Sequence, residues 1–517
     1  AIFEKMRHLR QVEMRLELKE GIQHCSIIND SYSADINSLS IALDFLGQHP
    51  LHKKHTLILS DLLQAGQPSG QLYKTIANIL ARKKLFRFIG IGQQISAHSD
   101  LFFGMDEIHF FNTTEELLYA IPALQFKDET ILLKGARTFQ FEKISQVLEQ
   151  KNHETVLEIN LNALRHNLLL YKKMLSPGVK LMAMVKAFSY GSGSFQVASL
   201  LQHEAVDYLA VAYADEAVEL RRAGIHLPIM VMNTEAKAFE NIITNNLQPE
   251  LYSFNMLYAF KNYLLQQGIK HYPVHIKLDT GMHRLGFEEN DMVKLGKEIS
   301  GDDILYIVSV FSHLVASDDV LQDEYTIQQW NLFTSMADDI EKICGYKFIR
   351  HIANTSAIHR HPGMQMNMVR LGIGLYGINS DGVMQAKLQN VTTLKTTISQ
   401  IKQVKKGESV GYGRNAILEK DSVIATVRIG YADGYPRKMG NGNGKMLING
   451  TLAPVVGNVC MDMTMIDVTG IPVNEEDELI VFGELLPVTK LAAWASTIPY
   501  EMLTNISQRV KRVYYEE

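Results

Sequence analysis

The sequence predicts an α/β protein: a (β/α)8 barrel plus a C-terminal β domain, preceded by a Rossmann-like, doubly wound α/β domain. Three observations carry this. Short apolar strands alternate with helical segments eight times between about residue 180 and Ser380. Beyond Ser380 strands follow one another without helices. A separate, shorter alternation precedes the polar stretch EQKNHE at 149–154.

In the first block CSIIND (25–30), HTLILSD (55–61), LFRFIGIG (85–92), EIHFFN (107–112) and ETILLKGA (129–136) read as strands. SLSIALDFL, QLYKTIANILARKK, TEELLYAI and FEKISQVLEQ between and after them have helical spacing. Strand–helix alternation of this kind builds a doubly wound parallel sheet. EQKNHE is the expected junction, so the first domain is placed at 1–150.

The second block opens with a strand at Val156 and a helix. The alternation then runs through KLMAMVK, YLAVAY, PIMVMN, PELYS, PVHIKLD, LYIVSVFSH, FIRHIAN and NMVRLGIGLYG, with helices such as ADEAVELRRAG between. Eight units predict a barrel over 151–383, with functional residues at the C-terminal strand ends. TTLKTTISQIKQV, SVIATVRIGYA, KMLINGTLAPVVG and MTMIDV predict a β domain over 384–517, closed by the helix-like PYEMLTNISQRV.

Composition sets outer limits. The 517 residues carry a formal net charge of −5, which gives no nucleic-acid or anionic-membrane footprint. The three cysteines show no zinc spacing and suit a reducing cytoplasm. No apolar run is long enough to span a bilayer, and no signal peptide is visible. The opening AIFEKM, without an initiator methionine, reads as a piece of a longer polypeptide or as a trimmed chain.

Lys186 ends the apolar run VKLMAMV and is followed by a glycine-rich turn with a tyrosine, MVKAFSYGSG. A strand-end lysine is usually a solvated charge. In an apolar pocket it is instead an amine available to a carbonyl cofactor. The other barrel strands end in candidates for the same site. His313 closes VFSH, Asn354 and Thr355 follow HIA, and Arg370, Gly372 and Ile373 lie in VRLGIG. Singly, each is more often a core histidine, a packing glycine or an ion-pair partner. Their shared place at the strand ends of one barrel is what points to a site. Small residues and backbone N–H groups near the last two strands suit a phosphate.

MVKAFSYGSG resembles the pyridoxal-phosphate (PLP) lysine motif of the alanine racemase family. KLDTGMHRLGF, FSHLVASDD, HIANTSA, VRLGIGLYG, ESVGYGRN, VRIGYADGYPR, VGNVCMDMTMIDV and PYEMLTNISQRVKRVYY resemble further family segments in the same order. The resemblance runs from about residue 152 to 517. It implies a PLP enzyme that interconverts L- and D-alanine, works as a homodimer with shared sites, and supplies D-alanine for peptidoglycan.

The resemblance also assigns roles. Lys186 would carry PLP and act as one base. Tyr412, from the partner subunit, would be the opposite base. Tyr190, Thr355, Gly372, Ile373 and Tyr500 would hold the phosphate, with Asn354 beside them. Arg370 would face the pyridine nitrogen, supported by His313. Arg284 and the Met461 backbone would bind the substrate carboxylate, and Tyr431 would line the entry. Lys277 matches a lysine that is carbamylated in some family members; an ordinary ion pair is the other reading. No metal is implied.

The roles are physically coherent. An arginine cannot easily lose a proton, so Arg370 would leave the ring nitrogen unprotonated and favour return of the Cα proton over transamination. Inversion needs a base on each face, here Lys186 and Tyr412. A tyrosine is a base only where a cation such as Arg284 stabilises its phenolate. Two other readings stand beside this one. A basic amino-acid decarboxylase on the same barrel would place a carboxylate at the ring nitrogen, which Arg370 contradicts. An inactive scaffold would not need Lys186, Tyr412, Arg370 and Met461 together.

Residues 1–150 resemble the C-terminal domain of Mur ligases of the D-alanyl-D-alanine-adding type. INDSYSADINS, LSDLLQAG and LLKGARTFQFEKI carry that likeness. Ser33, Asp35, Ile36, Ser60 and Gln64 depart from the family pattern, and the chain has no G-x-x-x-x-G-K-[ST] phosphate loop. The expectation is a ligase tail fused to a complete racemase, with the ATP-binding domain upstream and no ligation by this chain alone.

Overall fold

Successive buried side chains of the first-block strands alternate between two different cores. Ile28, Leu57, Leu59, Phe88 and Leu132 pack with Leu43, Tyr73 and Ile76 on one face. Ile27, Ile58, Ile89, Ile131 and Leu133 pack with Leu117, Phe141 and Ile144 on the other. A sheet buried on both faces between helices is the doubly wound arrangement. The computed structural model describes residues 17–30, 35–48, 52–62, 68–148, 155–301 and 303–516. The expected junction 149–154 and the motif positions Ser33 and Gln64 lie outside the described residues.

The chain divides into two compact units, Ala1–Asn152 and His153–Glu517. In the first, β1 (Glu17–Glu20), β2 (Ser26–Asp30), β3 (Lys54–Ser60), β4 (Arg87–Ile91), β5 (Glu107–Phe111) and β6 (Glu129–Lys134) form a sheet ordered β1-β2-β6-β3-β4-β5. It is parallel except for β1, which runs antiparallel to β2. The polar edge strand β1, ELKE, carried no hydrophobic signal and was not expected.

In the second unit the opening strand β7 (Val156–Asn160) stands outside the barrel. The barrel strands are β8 (Lys180–Met184), β9 (Tyr208–Val211), β10 (Ile229–Val231), β11 (Gln248–Leu251), β12 (Tyr272–Lys277), β13 (Leu305–Phe311), β14 (Ile349–His351) and β15 (Met368–Leu371). Neighbours from β8 to β14 pair in parallel, and β15 pairs with β8. Closure comes from Asn367 N donating to Arg350 O at 3.1 Å and Arg370 N to Ala353 O at 3.0 Å. The expected eighth strand is shorter than its apolar run: it ends at Leu371, and Ile373–Tyr376 forms a 3-10 turn.

β16 (Thr392–Val404) is the spine of the C-terminal β domain. With β19 (Ser422–Val427), β20 (Lys445–Ile448), β21 (Thr451–Pro454), β22 (Thr464–Asp467) and β23 (Glu478–Phe482) it forms a sheet ordered β21-β20-β23-β16-β19-β22. β7 joins this sheet, antiparallel to β16 and parallel to β24 (Lys511–Tyr515). The start of the unit is thus tied to its end. A small ribbon of β17 (Ser409–Val410) and β18 (Ala416–Ile417) brackets Tyr412. Among the described residues no helix is long and apolar enough to cross a membrane.

Candidate active site

Lys186 follows β8 directly, and the chain after it winds left-handed. Ala187, Phe188, Ser189 and Tyr190 have φ of 53, 55, 51 and 53°, and Gly191 has 82°. Left-handed backbone costs roughly 1–2 kcal/mol per non-glycine residue, so surrounding contacts must enforce it. Several do. Glu216 Oε1 accepts from Ala187 N at 2.6 Å, while its Oε2 accepts from Ala212 N at 2.7 Å. Tyr376 donates to Met184 O at 3.0 Å. A Cβ on Gly191 would stand 2.3 Å from Leu503 O, so only glycine lets this turn meet the helix Pro499–Thr504 that carries Tyr500. Glu216 was not foreseen: in ADEAVELRRAG it looks like any helix-start acid.

Lys186 opens on a cavity of about 190 Å³, lined also by Ala212, Met232, Asn233, Glu250, Lys277, Arg284 and Leu285. Every lining residue comes from a C-terminal strand end or the loop after it. Burial, and then the Arg284 charge, holds the Lys186 amine below the ordinary lysine range. That favours the neutral, nucleophilic form. Arg284 is carried by a loop pinned at its base, where Phe287 N donates to Lys277 O and Asp279 N to Phe287 O, both at 2.9 Å. Asp279 Oδ1 organises the loop by accepting from Gly281, Met282 and His283 N–H groups. Glu250 is the cavity's one carboxylate and was missed in sequence. Lys186, Lys277 and Arg284 outnumber it, so the cavity favours anionic groups of a ligand.

A second cluster adjoins Lys186. Tyr190 contacts Tyr376 and Tyr500, with ring centroids 4.7 and 5.9 Å away. Gly372 N donates to Thr355 Oγ1 at 2.9 Å. A Cβ on Gly372 would meet Tyr190 Oη at 3.1 Å and Thr355 Oγ1 at 3.6 Å. The missing side chain therefore leaves a concavity ringed by a phenol, a hydroxyl and the start of the Ile373–Tyr376 turn. Burial raises the phenols of Tyr190 and Tyr500, the latter to about 12, so both remain O–H donors. These donors fit a phosphate. Asn354 works behind them: its Oδ1 accepts from Ala357 N at 3.1 Å and Ser317 Oγ at 2.8 Å, capping the helix Thr355–Arg360.

Arg370 is 3% exposed and makes five hydrogen bonds. Nη1 reaches His351 Nδ1 at 2.8 Å, and Nη2 reaches Ser312 O at 2.7 Å and His313 Nδ1 at 3.2 Å. Since a guanidinium only donates, His351 Nδ1 and His313 Nδ1 accept. The rest of the chain of bonds then has one assignment. His351 Nε2–H donates to Ser309 Oγ at 2.9 Å, and Ser309 donates to His275 Nδ1 at 2.6 Å. His275 Nε2–H donates to Gln248 Oε1 at 2.9 Å. All three imidazoles are neutral, because burial pulls each below the ordinary histidine range and Arg370 adds to this for His313 and His351. The bonds cross the barrel interior from β11 to β15 and hold the guanidinium in one orientation.

Tyr412, Tyr431 and Met461 are not among the residues lining the Lys186 cavity. They gather instead on the β domain, 73, 42 and 54% exposed. Asn458 Nδ2 donates to Tyr412 O at 2.9 Å, and Ala432 N donates to Met461 O at 3.0 Å. Arg509 braces the patch through Asp433 and Asp462, both at 2.7 Å.

Comparison with known proteins agrees with the fold of the second unit. The alanine racemase N-terminal domain family matches residues 159–380, and the C-terminal domain family matches residues 391–514. The alanine racemase of Methanococcus maripaludis is 36% identical over 374 residues, covering 70% of this chain and 99% of that protein. The solved alanine racemase of Clostridium difficile 630 superposes with a TM-score of 0.67 at 38% identity, covering 71% of this chain and 97% of that one. A Bartonella henselae alanine racemase, solved with covalently bound pyridoxal phosphate, gives a TM-score of 0.65 at 27% identity, covering 70% and 100%. Through its second unit, the chain belongs to the alanine racemase family.

Proposed function

We propose that this chain is a PLP-dependent isomerase, interconverting L- and D-alanine by a two-base mechanism. The observation that carries the reading is the pairing of a desolvated Lys186 with the donor-lined concavity at Tyr190, Thr355 and Gly372. One part fits an amine-linked aldehyde cofactor and the other fits its phosphate. Lys186 would hold PLP covalently. Tyr190, Thr355, Gly372, Ile373 and Tyr500 would hold its phosphate, with Asn354 fixing Thr355. Arg370, steadied by His313 and His351, would stand at the ring nitrogen. When bound, PLP acidifies the Cα–H of an attached amino acid.

The protein's own work is to orient the substrate and move one proton. Arg284 and the Met461 backbone would bind the alanine carboxylate, and Tyr431 would line the entry. Lys186, kept partly neutral by burial, takes or returns the Cα proton on one face. The partner subunit's Tyr412 does so on the other. Arg370 stays cationic and donor-only, so it offers no proton to exchange with the ring. The exposed patch of Tyr412, Tyr431 and Met461 supports a two-fold homodimer in which each subunit completes the other's site.

We assign residues 1–150 to a Mur-ligase C-terminal-like domain, 151–383 to the PLP barrel and 384–517 to the β domain. Supporting the first assignment, its motif segments converge at the strand ends. Lys134 Nζ donates to Asp30 Oδ2 at 2.6 Å, and Ala136 N donates to Ser60 Oγ at 2.7 Å. Asp35, one of the departures, caps the following helix by accepting from Ser38 N at 2.9 Å. A role in D-alanine supply for peptidoglycan and a cytoplasmic setting follow from this reading; the cysteines are unpaired. The test is PLP binding: a visible absorption band, trapped by borohydride on Lys186 and absent in Lys186→Ala. Trapping on another lysine refutes the assignment.

A further inference from the structure

Glu216 differs from an ordinary helix-start acid in where its second oxygen goes. Oε2 accepts from Ala212 N at 2.7 Å and Tyr213 N at 3.2 Å, which caps the helix Ala214–Arg222 in the usual way. Oε1 is free to face water, yet it accepts from Ala187 N at 2.6 Å, 29 residues earlier in the chain. That N–H belongs to the peptide group joining Lys186 to Ala187. Just before the lysine, Val185 N donates to Ala210 O of β9 at 2.9 Å. Lys186 is thus held on both sides, by β9 and by the helix that follows β9.

We propose that Glu216 is a positioning residue for Lys186: its carboxylate sets the direction in which the lysine stem leaves the backbone, and so aims the amine at the Cα proton on one face of the substrate. The proposal rests on the reading of Lys186 as one of two proton-moving bases. A lysine carries its amine on a flexible four-carbon stem, so the amine is only as well placed as its backbone anchor. Here the anchor turns left-handed at once, with φ of 53° at Ala187, and the N–H of that residue goes to Glu216. A carboxylate is acceptor-only, which suits three converging N–H groups. It also ties down Ala212, which lines the Lys186 cavity, so the base and part of its pocket wall share one brace. Its charge acts on the amine as well: burial and Arg284 lower Lys186, and Glu216 opposes them.

Two variants separate this role from helix capping. Glu216→Gln replaces one acceptor oxygen by an N–H donor, which opposes one of the three N–H groups. Glu216→Asp keeps the charge and still caps the helix, but it is one methylene too short to reach Ala187 as well. Both should loosen Lys186, and Glu216→Asp should do so at little cost in stability. Only proton transfer through Lys186 should suffer directly, because the transfer made by the partner subunit's Tyr412 on the opposite face has a different anchor.

The experiment begins with the unmutated full chain, loaded with PLP. Ala187 is exposed, yet its N–H should resist hydrogen exchange, read by mass spectrometry. The two PLP-loaded variants are then compared with it. Their visible absorption should show PLP bound to Lys186, the visible circular dichroism should change, and kcat should fall about ten- to a hundredfold, as for a reacting group misplaced by roughly 1 Å. The Cα-deuterium isotope effect should rise for one enantiomer of alanine alone, opposite to the one affected by Tyr412→Phe. Three results overturn the proposal: a freely exchanging Ala187 N–H in the unmutated chain, a PLP-loaded Glu216→Asp with unchanged circular dichroism and isotope effects, or isotope effects that rise equally for both enantiomers. If the unmutated chain binds PLP but does not racemise alanine, the functional reading falls, while amide exchange and circular dichroism still decide whether Glu216 holds the lysine.

Discussion

Replacing Arg370 by lysine keeps the positive charge and removes the planar fork. The guanidinium satisfies five acceptors: His351 Nδ1 and O, Ser312 O, His313 Nδ1 and Ile352 O. An ammonium has three donors at one atom, so at least two acceptors lose their partner. Each orphaned buried acceptor costs about 1–3 kcal/mol, which puts the loss at about 2–6 kcal/mol. The relay also loses its anchor, because His351 Nδ1 no longer faces an obligate donor and the tautomers back to His275 are free to reverse. Urea unfolding followed by tryptophan fluorescence reads this cleanly. Both tryptophans, Trp330 and Trp494, belong to the second unit, so the signal ignores the first. At fixed protein concentration the midpoint should fall by about 1 M or more. An unchanged midpoint in a folded Arg370→Lys protein would show that the hydrogen bonds do not hold the barrel interior as described.

Co-expressed Lys186→Ala and Tyr412→Phe chains should regain activity, since half of the reassorted dimers carry one intact site and the total approaches about a quarter of the unmutated value; activity no higher than the homodimer average, with exchange confirmed, rejects shared sites. A chain beginning near Asn152 should still racemise alanine, because β7 and β24 close the second unit on itself; a folded dimer without activity would give the first unit a part in the site. The raised Glu250 pKa predicts a pH effect of definite sign. The folded state holds a proton that the unfolded state has released, so stability should fall as pH rises from the ordinary glutamate pKa of about 4.3 toward the raised value. Glu250→Gln should remove that slope; if the slope persists, another group causes it.

Barrel strands were legible because each is a short apolar run at a regular interval, and Lys186 stood out as a candidate because it ends such a run before glycines. What escaped depends on contacts distant in sequence. β7 reads as the first strand of the barrel region, yet it pairs with β16 and β24, and no local pattern encodes that partner choice. The left-handed turn after Lys186 uses four non-glycine residues, which contacts distant in sequence, Glu216 and Tyr376 among them, make tenable. His275, Ser309 and His351 occupy inward positions of apolar strands, so each alone resembles a core polar residue; closure of the barrel turns them into one chain of bonds. Glu250 did leave a signal: a carboxylate at an inward strand-end position of PELYS has to face something charged.

The most direct test of the central claim is incubation of the PLP-loaded chain with L-alanine in deuterated water, with both enantiomers followed by chiral chromatography and mass spectrometry. Proton return from either of two bases predicts that D-alanine accumulates toward equal amounts of the two enantiomers and that both acquire deuterium at Cα. Lys186→Ala should do neither. A PLP-loaded, dimeric chain that leaves L-alanine optically unchanged would contradict the account.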